Sequence, residues 1–123
     1  MATELHLDPS QPLSASFRDA VGTAIDDFIA ERRPELAAIG PEVAALADRA
    51  GQFTAGGKRV RPAFCVWGHI AVRGVPEDPT GLLWAAASLD VLHVSALMHD
   101  DVMDASDTRR GVPAAHRQFE ALH

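Results

Sequence analysis

The chain is poor in several things at once. Cys65 is its single cysteine among 123 residues, which excludes an internal disulfide framework and suits a reducing compartment. Basic charge is scarce. Eleven Lys and Arg stand against seventeen Asp and Glu, for a formal charge of −6. A nucleic-acid surface normally needs a net basic footprint, so no nucleic-acid partner is expected. The opening residues, MATELHLDPSQP, lack a basic stretch followed by an apolar one, and no signal peptide is expected. No apolar run is read as long enough to span a bilayer, so no transmembrane segment is expected. These absences together point to the cytoplasm. No segment alternates apolar and polar residues as a half-buried strand does, and no internal repeat is found.

What remains is a globular composition, 47% hydrophobic and 23% charged, of a length for one domain or part of a larger one. Residues 1–13 hold Pro9 and Pro12 and little periodicity, and read as a flexible leader. From about Ser14, Phe17, Val21, Ile25, Phe28 and Ile29 recur at helical spacing, with Ser14 as a cap. Pro34 is expected to kink or end that helix. A short helix is expected from Glu42 to Ala50, opened by Pro41 and closed by Gly51. Gly56-Gly57 breaks the chain, and a further helix is expected from about Lys58 to Val72. The longest periodic segment starts near Pro79-Thr80 and continues to about Asp104. Pro113 is expected to open a last helix running to His123. The expected fold class is all-α, with helices long enough for a bundle.

The long segment ends in Leu97-Met98-His99-Asp100-Asp101-Val102-Met103-Asp104. On a helical wheel Asp90, His93, Leu97, Asp100, Asp101 and Asp104 fall within a sector of roughly 100°. An acidic stripe is usually a solvated face. Here no Lys or Arg follows at i+4 to relieve it. The acids also face the negative end of the helix dipole. A cation would relieve the repulsion, and oxygen ligands without cysteine favour Mg²⁺ or Mn²⁺ over zinc. Asp100 and Asp104, one turn apart, can reach the same ions, with Asp101 at the side of the patch.

Two basic clusters flank this feature. In Gly56-Gly57-Lys58-Arg59-Val60-Arg61-Pro62, free amides at a helix start, with Lys58 and Arg61 at i, i+3, make an anion site. In Thr108-Arg109-Arg110-Gly111, a pair of arginines follows the acids, and arginine grips phosphate oxygens in a fork. The three together describe a site for one or two diphosphates and bridging Mg²⁺.

The ordered set GGKRVRP, LHVSALMHDDVMD and RRGVP resembles the N-terminal part of the trans-isoprenyl diphosphate synthases, the polyprenyl synthetases, from about Phe17 onward. The resemblance implies an isoprenoid-synthase-type helical bundle. It implies a Mg²⁺-dependent prenyltransferase that condenses isopentenyl diphosphate with an allylic diphosphate. Asp100 and Asp104 then correspond to metal ligands, with Asp101 supporting them. Lys58, Arg61 and His93 fall where the family binds isopentenyl diphosphate. Arg109 falls where it binds the allylic diphosphate, and Arg110 where it again binds isopentenyl diphosphate. Four and five residues before Asp100, where bulky aromatics in the family stop chain growth, stand Ala96 and Ser95. Leu92 and Leu89 could form a deeper floor, so geranylgeranyl or longer products are favoured.

The family's second aspartate-rich motif is not found in this sequence. Asp26-Asp27 is an aspartate pair elsewhere in the chain, and no third acid completes the pattern there. Residues 14–123 are therefore expected to be a truncated synthase domain, weak or inactive alone, that forms a homo-oligomer or pairs with a partner chain. A non-catalytic subunit or half-protein completed by such a partner is the main alternative. A class I terpene cyclase shares DDxxD, but GGKRVRP argues against it. An HD-type phosphohydrolase, using His69, His99, Asp100 and Asp104, leaves RRG unexplained.

Overall fold

The structure, a computed structural model, describes residues 5–121. It is helical apart from one minimal hairpin. The order is α1 (Ala15–Ile39), α2 (Pro41–Thr54), α3 (Val60–Arg73), α4 (Thr80–Met103), β1 (Thr108–Arg109), β2 (Val112–Pro113) and α5 (Ala115–Glu120). The all-α expectation holds. The expectation of no strand is corrected at residues 108–113. The expected end of the last helix, at His123, lies outside the described residues.

Two compact units divide the chain, the first reaching Val91 and the second starting at Leu92, with α4 running through the boundary. In the first unit, Ser14 caps α1 by accepting the Phe17 backbone N–H at 3.2 Å. Phe17, Val21, Ala24 and Ile25 form its buried stripe. They meet Ala63 and Val66 of α3 and Ala86 and Ala87 of α4 in one apolar core. Residues 5–13 form no helix, but Leu7 packs on this core and the Trp67 indole donates to the Pro12 carbonyl at 3.0 Å.

Pro34 does not end α1, which continues to Ile39. A proline deprives the carbonyl four residues back of its partner. That residue, Ala30, is exposed, as is Pro34, so water can take the place of the lost donor. Likewise Gly51 does not close α2, which runs to Thr54. There the Thr54 hydroxyl donates to the carbonyls of Ala50 and Gly51, at 2.9 and 3.1 Å. Arg33 and Asp48 join α1 to α2 with bonds of 3.0 and 3.3 Å.

α4 also corrects the expectation that no apolar run is long enough for a bilayer. It has 24 residues, a mean hydropathy of 1.5 over its most apolar window, and at most two charges there. Length and composition alone would let it cross a membrane. The same properties suit a bundle helix, and Ala86 and Ala87 are buried in protein.

In the second unit, α4 ends without a glycine. The Ser106 N–H bonds the Asp101 carbonyl at 2.8 Å and the Ala105 N–H bonds the Val102 carbonyl at 3.3 Å. With Ala105 left-handed at φ 53°, this is a Schellman ending. β1 and β2 then pair antiparallel, Thr108 opposite Pro113 and Arg109 opposite Val112. Arg110 and Gly111 form the two-residue turn with φ of 53° and 80°, the positive pair that a type I′ hairpin turn requires. The last helix starts at Ala115 rather than at Pro113, because Pro113 belongs to the hairpin.

Candidate functional site

The first unit carries the glycine-rich basic segment. Gly56 has a positive φ of 72°, and α3 starts at Val60, two residues later than Lys58. Lys58 and Arg61 are both exposed. Arg59 between them is turned inward. It is 7% exposed and left-handed, at φ 62° and ψ 33°. Its Nη1 donates to Asp90 Oδ2 at 2.9 Å. A non-glycine residue in this conformation costs about 1–2 kcal/mol, so the surroundings must hold it there.

In the second unit the three acids of the DDxxD motif divide into two kinds. Asp100 and Asp104 are exposed and stand one turn apart, the Asp104 N–H bonding the Asp100 carbonyl at 2.8 Å. Neither carboxylate forms an ion pair among the described residues. Asp101 is buried, 2% exposed. Arg109 holds it in a fork, Nε donating to Oδ2 at 3.1 Å and Nη2 donating to Oδ1. Those hydrogen bonds keep the Asp101 carboxyl below the usual carboxylate range, against the opposing effect of burial. The Arg109 guanidinium is pushed up in return, chiefly by Asp101, with a smaller contribution from Asp100. The hairpin aims this interaction, since Arg109 is in β1 while Arg110 occupies the turn.

His93 is half-buried, and Ser95, Ala96 and Leu92 are exposed on α4. The structure therefore unites Asp101 with Arg109 in the second unit, and keeps Lys58 and Arg61 on the first. Two of the acids that look unrelieved in sequence, Asp90 and Asp101, are relieved by arginines distant along the chain. Arg59 is the residue that sequence reasoning passed over. Asp90, the first acid of the stripe on an apolar helix, was the signal, because a largely buried carboxylate needs a cationic or hydrogen-bonding partner.

Among the described residues no three His, Cys, Asp or Glu side chains are arranged to hold a metal. Asp100 and Asp104 nonetheless suit one class of cation. Mg²⁺ is commonly bound through one or two carboxylates, with water and phosphate oxygens completing its shell.

The polyprenyl synthetase family model matches residues 44–122, a stretch holding both the basic segment and the acids. This chain belongs to the polyprenyl synthetase family. It is 44% identical over 64 residues to a short chain isoprenyl diphosphate synthase of Methanothermobacter thermautotrophicus, covering 52% of this chain and 19% of that one. With a geranylgeranyl diphosphate synthase of Methanosarcina mazei the identity is 38% over 98 residues, covering 78% and 26%. The crystal structure of geranylgeranyl pyrophosphate synthase from Corynebacterium glutamicum, complexed with isoprenyl diphosphate and magnesium, is similar at a TM-score of 0.79 and 37% identity. That similarity covers 87% of this chain and 31% of the synthase. The polyprenyl synthetase helical fold is thus shared, while the chain spans only a fifth to a quarter of these two curated relatives.

Proposed function

We propose that this chain supplies one wall of a prenyl-transfer site that joins isopentenyl diphosphate to an allylic diphosphate, giving a longer isoprenyl diphosphate. The observation that carries this reading is the sorting of acids at the end of α4, with Asp100 and Asp104 exposed and without an ion pair among the described residues, and Asp101 inward on Arg109. Membership in the polyprenyl synthetase family and the synthase names of its relatives support it.

Asp100 and Asp104 would hold Mg²⁺, or Mn²⁺, which when bound neutralises charge on the departing diphosphate. Asp101 fixes the Arg109 fork from behind, leaving its remaining N–H groups for phosphate oxygens. Arg109 would thereby grip the allylic diphosphate, and Lys58, Arg61, His93 and Arg110 would bind isopentenyl diphosphate. In the reaction the allylic C–O bond breaks and its electron pair leaves with diphosphate. The double bond of isopentenyl diphosphate supplies the pair for the new C–C bond, and loss of a proton restores a double bond. Charge stabilisation and exclusion of water are what the protein contributes. With Ser95 and Ala96 small and Leu92 further along α4, geranylgeranyl or longer products are favoured.

Further helices, from a longer protein or a partner chain, would complete the site. Phe64 at 79% exposed and Leu92 at 68% offer apolar surface for them to cover. The 123 residues alone are expected to bind diphosphate but to turn over weakly or not at all. The test supplies labelled isopentenyl diphosphate with Mg²⁺ and geranyl, farnesyl or geranylgeranyl diphosphate, while calorimetry follows binding. Absence of both incorporation and diphosphate binding would defeat the reading.

A further inference from the structure

Lys58 and Arg61 are exposed, and neither forms an ion pair among the described residues. Something other than their own contacts must decide where the two cations stand. Arg59 is placed to do so. Its left-handed backbone lies immediately before Val60, and its carbonyl accepts the first α3 bond, from the Ala63 N–H at 3.0 Å. Its side chain leaves the loop and crosses toward α4, meeting Asp90 at 2.9 Å with both partners largely buried. On the way the guanidinium passes positions 22 and 57. A Cβ at Gly22 or at Gly57 would lie 3.5 Å from it, and one at Gly57 would lie 4.0 Å from the Asp90 carboxylate. One side chain therefore runs beside Gly22 of α1 and Gly57 of the loop and pairs with Asp90 of α4.

We propose that Arg59 and Asp90 form a positioning pair for the anion-binding segment 56–61. By holding Arg59 inward in its left-handed conformation, Asp90 fixes where Lys58 and Arg61 present their charges, and so sets the segment's affinity for a diphosphate. The diphosphate part rests on the function proposed above.

The sign of one substitution separates this role from simple electrostatics. Asp90→Asn removes a negative charge near a site for an anion. If charge alone mattered, diphosphate would bind more tightly. Positioning demands the opposite, a loss of about tenfold in affinity for isopentenyl diphosphate, since small misplacements of binding groups are that costly. The experiment compares the wild-type chain with Asp90→Asn, Arg59→Lys and Lys58→Ala by titration calorimetry with isopentenyl diphosphate. Amide hydrogen exchange of residues 56–61 and thermal unfolding are read in parallel. The expected result is weaker binding and faster exchange in Asp90→Asn, measured well below its unfolding temperature. Arg59→Lys, which keeps both charges, should lie between it and wild type. That variant carries the test if Asp90→Asn does not fold. Unchanged exchange with equal or tighter binding would overturn the proposal. A wild-type chain that does not bind, or a Lys58→Ala variant that binds normally, would instead remove the diphosphate reading. The exchange of 56–61 would then decide alone whether the pair holds the segment.

Discussion

Asp101 and Arg109, eight positions apart, meet as carboxylate and guanidinium in a two-bond fork, with the carboxylate buried. The middle acid of DDxxD is thereby a support for an arginine, while its two neighbours remain available at the surface. This division of labour makes the three acids distinguishable by experiment.

Asp101→Asn should destabilise the chain by about 2–3 kcal/mol at pH 7, the usual loss for a hydrogen bond to a charged group with its partner left behind. The ordinary carboxylate value is 3.8, and Asp101 lies below it in the folded chain. Its stabilising contribution is therefore complete above about pH 4 and fades as pH falls through the lowered folded value. Urea midpoints of wild type and variant should differ at neutral pH and converge in strong acid. Equal midpoints at pH 7 would show that the fork contributes nothing.

Asp100→Asn and Asp104→Asn should leave stability within about 0.5 kcal/mol, since both carboxylates are exposed. Relief of like-charge repulsion could even raise it slightly. Each should weaken Mg²⁺-dependent diphosphate binding while leaving the metal-free far-UV spectrum intact. Calorimetry with and without Mg²⁺ separates the two effects.

Two left-handed positions in the second unit predict opposite responses to glycine and alanine. Ala105 ends α4 at φ 53°, so Ala105→Gly should stabilise by about 0.5–1 kcal/mol, the steric relief exceeding the added chain entropy. Gly111 sits in the hairpin turn at φ 80°, so Gly111→Ala should destabilise by about 1–2 kcal/mol. Thermal unfolding of the two variants checks both signs.

For product length the informative change is Ala96→Phe. Ala96 is exposed on α4, four residues before Asp100, and a phenyl group there would project where a growing apolar chain is proposed to lie. In a complete, active enzyme bearing this segment the products should shorten. Chromatography of dephosphorylated products that shows an unchanged distribution would remove the floor from this position.

Much of the molecule was legible residue by residue. Helical spacing of Phe17, Val21 and Ile25, the Ser14 cap and the Pro41 start are local, so composition and periodicity report them. The motifs GGKRVRP, DDVMD and RRGVP are local too, and they were enough to place the chain in its family. Pro34 does not end its helix because the cost of a proline depends on whether the carbonyl it orphans can reach water, and Ala30 is exposed. The hairpin escaped notice because two-residue strands carry no alternation. Only the turn pair Arg110-Gly111 marks it.

What the sequence determined by itself is therefore the set of helices and the inventory of chemical groups, because both follow from neighbours along the chain. What only the tertiary structure decided is which charges are spent and which remain. Arg59 finds Asp90 across 31 positions, and Arg109 finds Asp101 around the hairpin. Burial makes an unpaired charge too costly to keep, whereas exposed charges are stabilised by water and need no partner. That distinction, set by packing rather than by spacing, leaves Lys58, Arg61, Asp100 and Asp104 exposed to water.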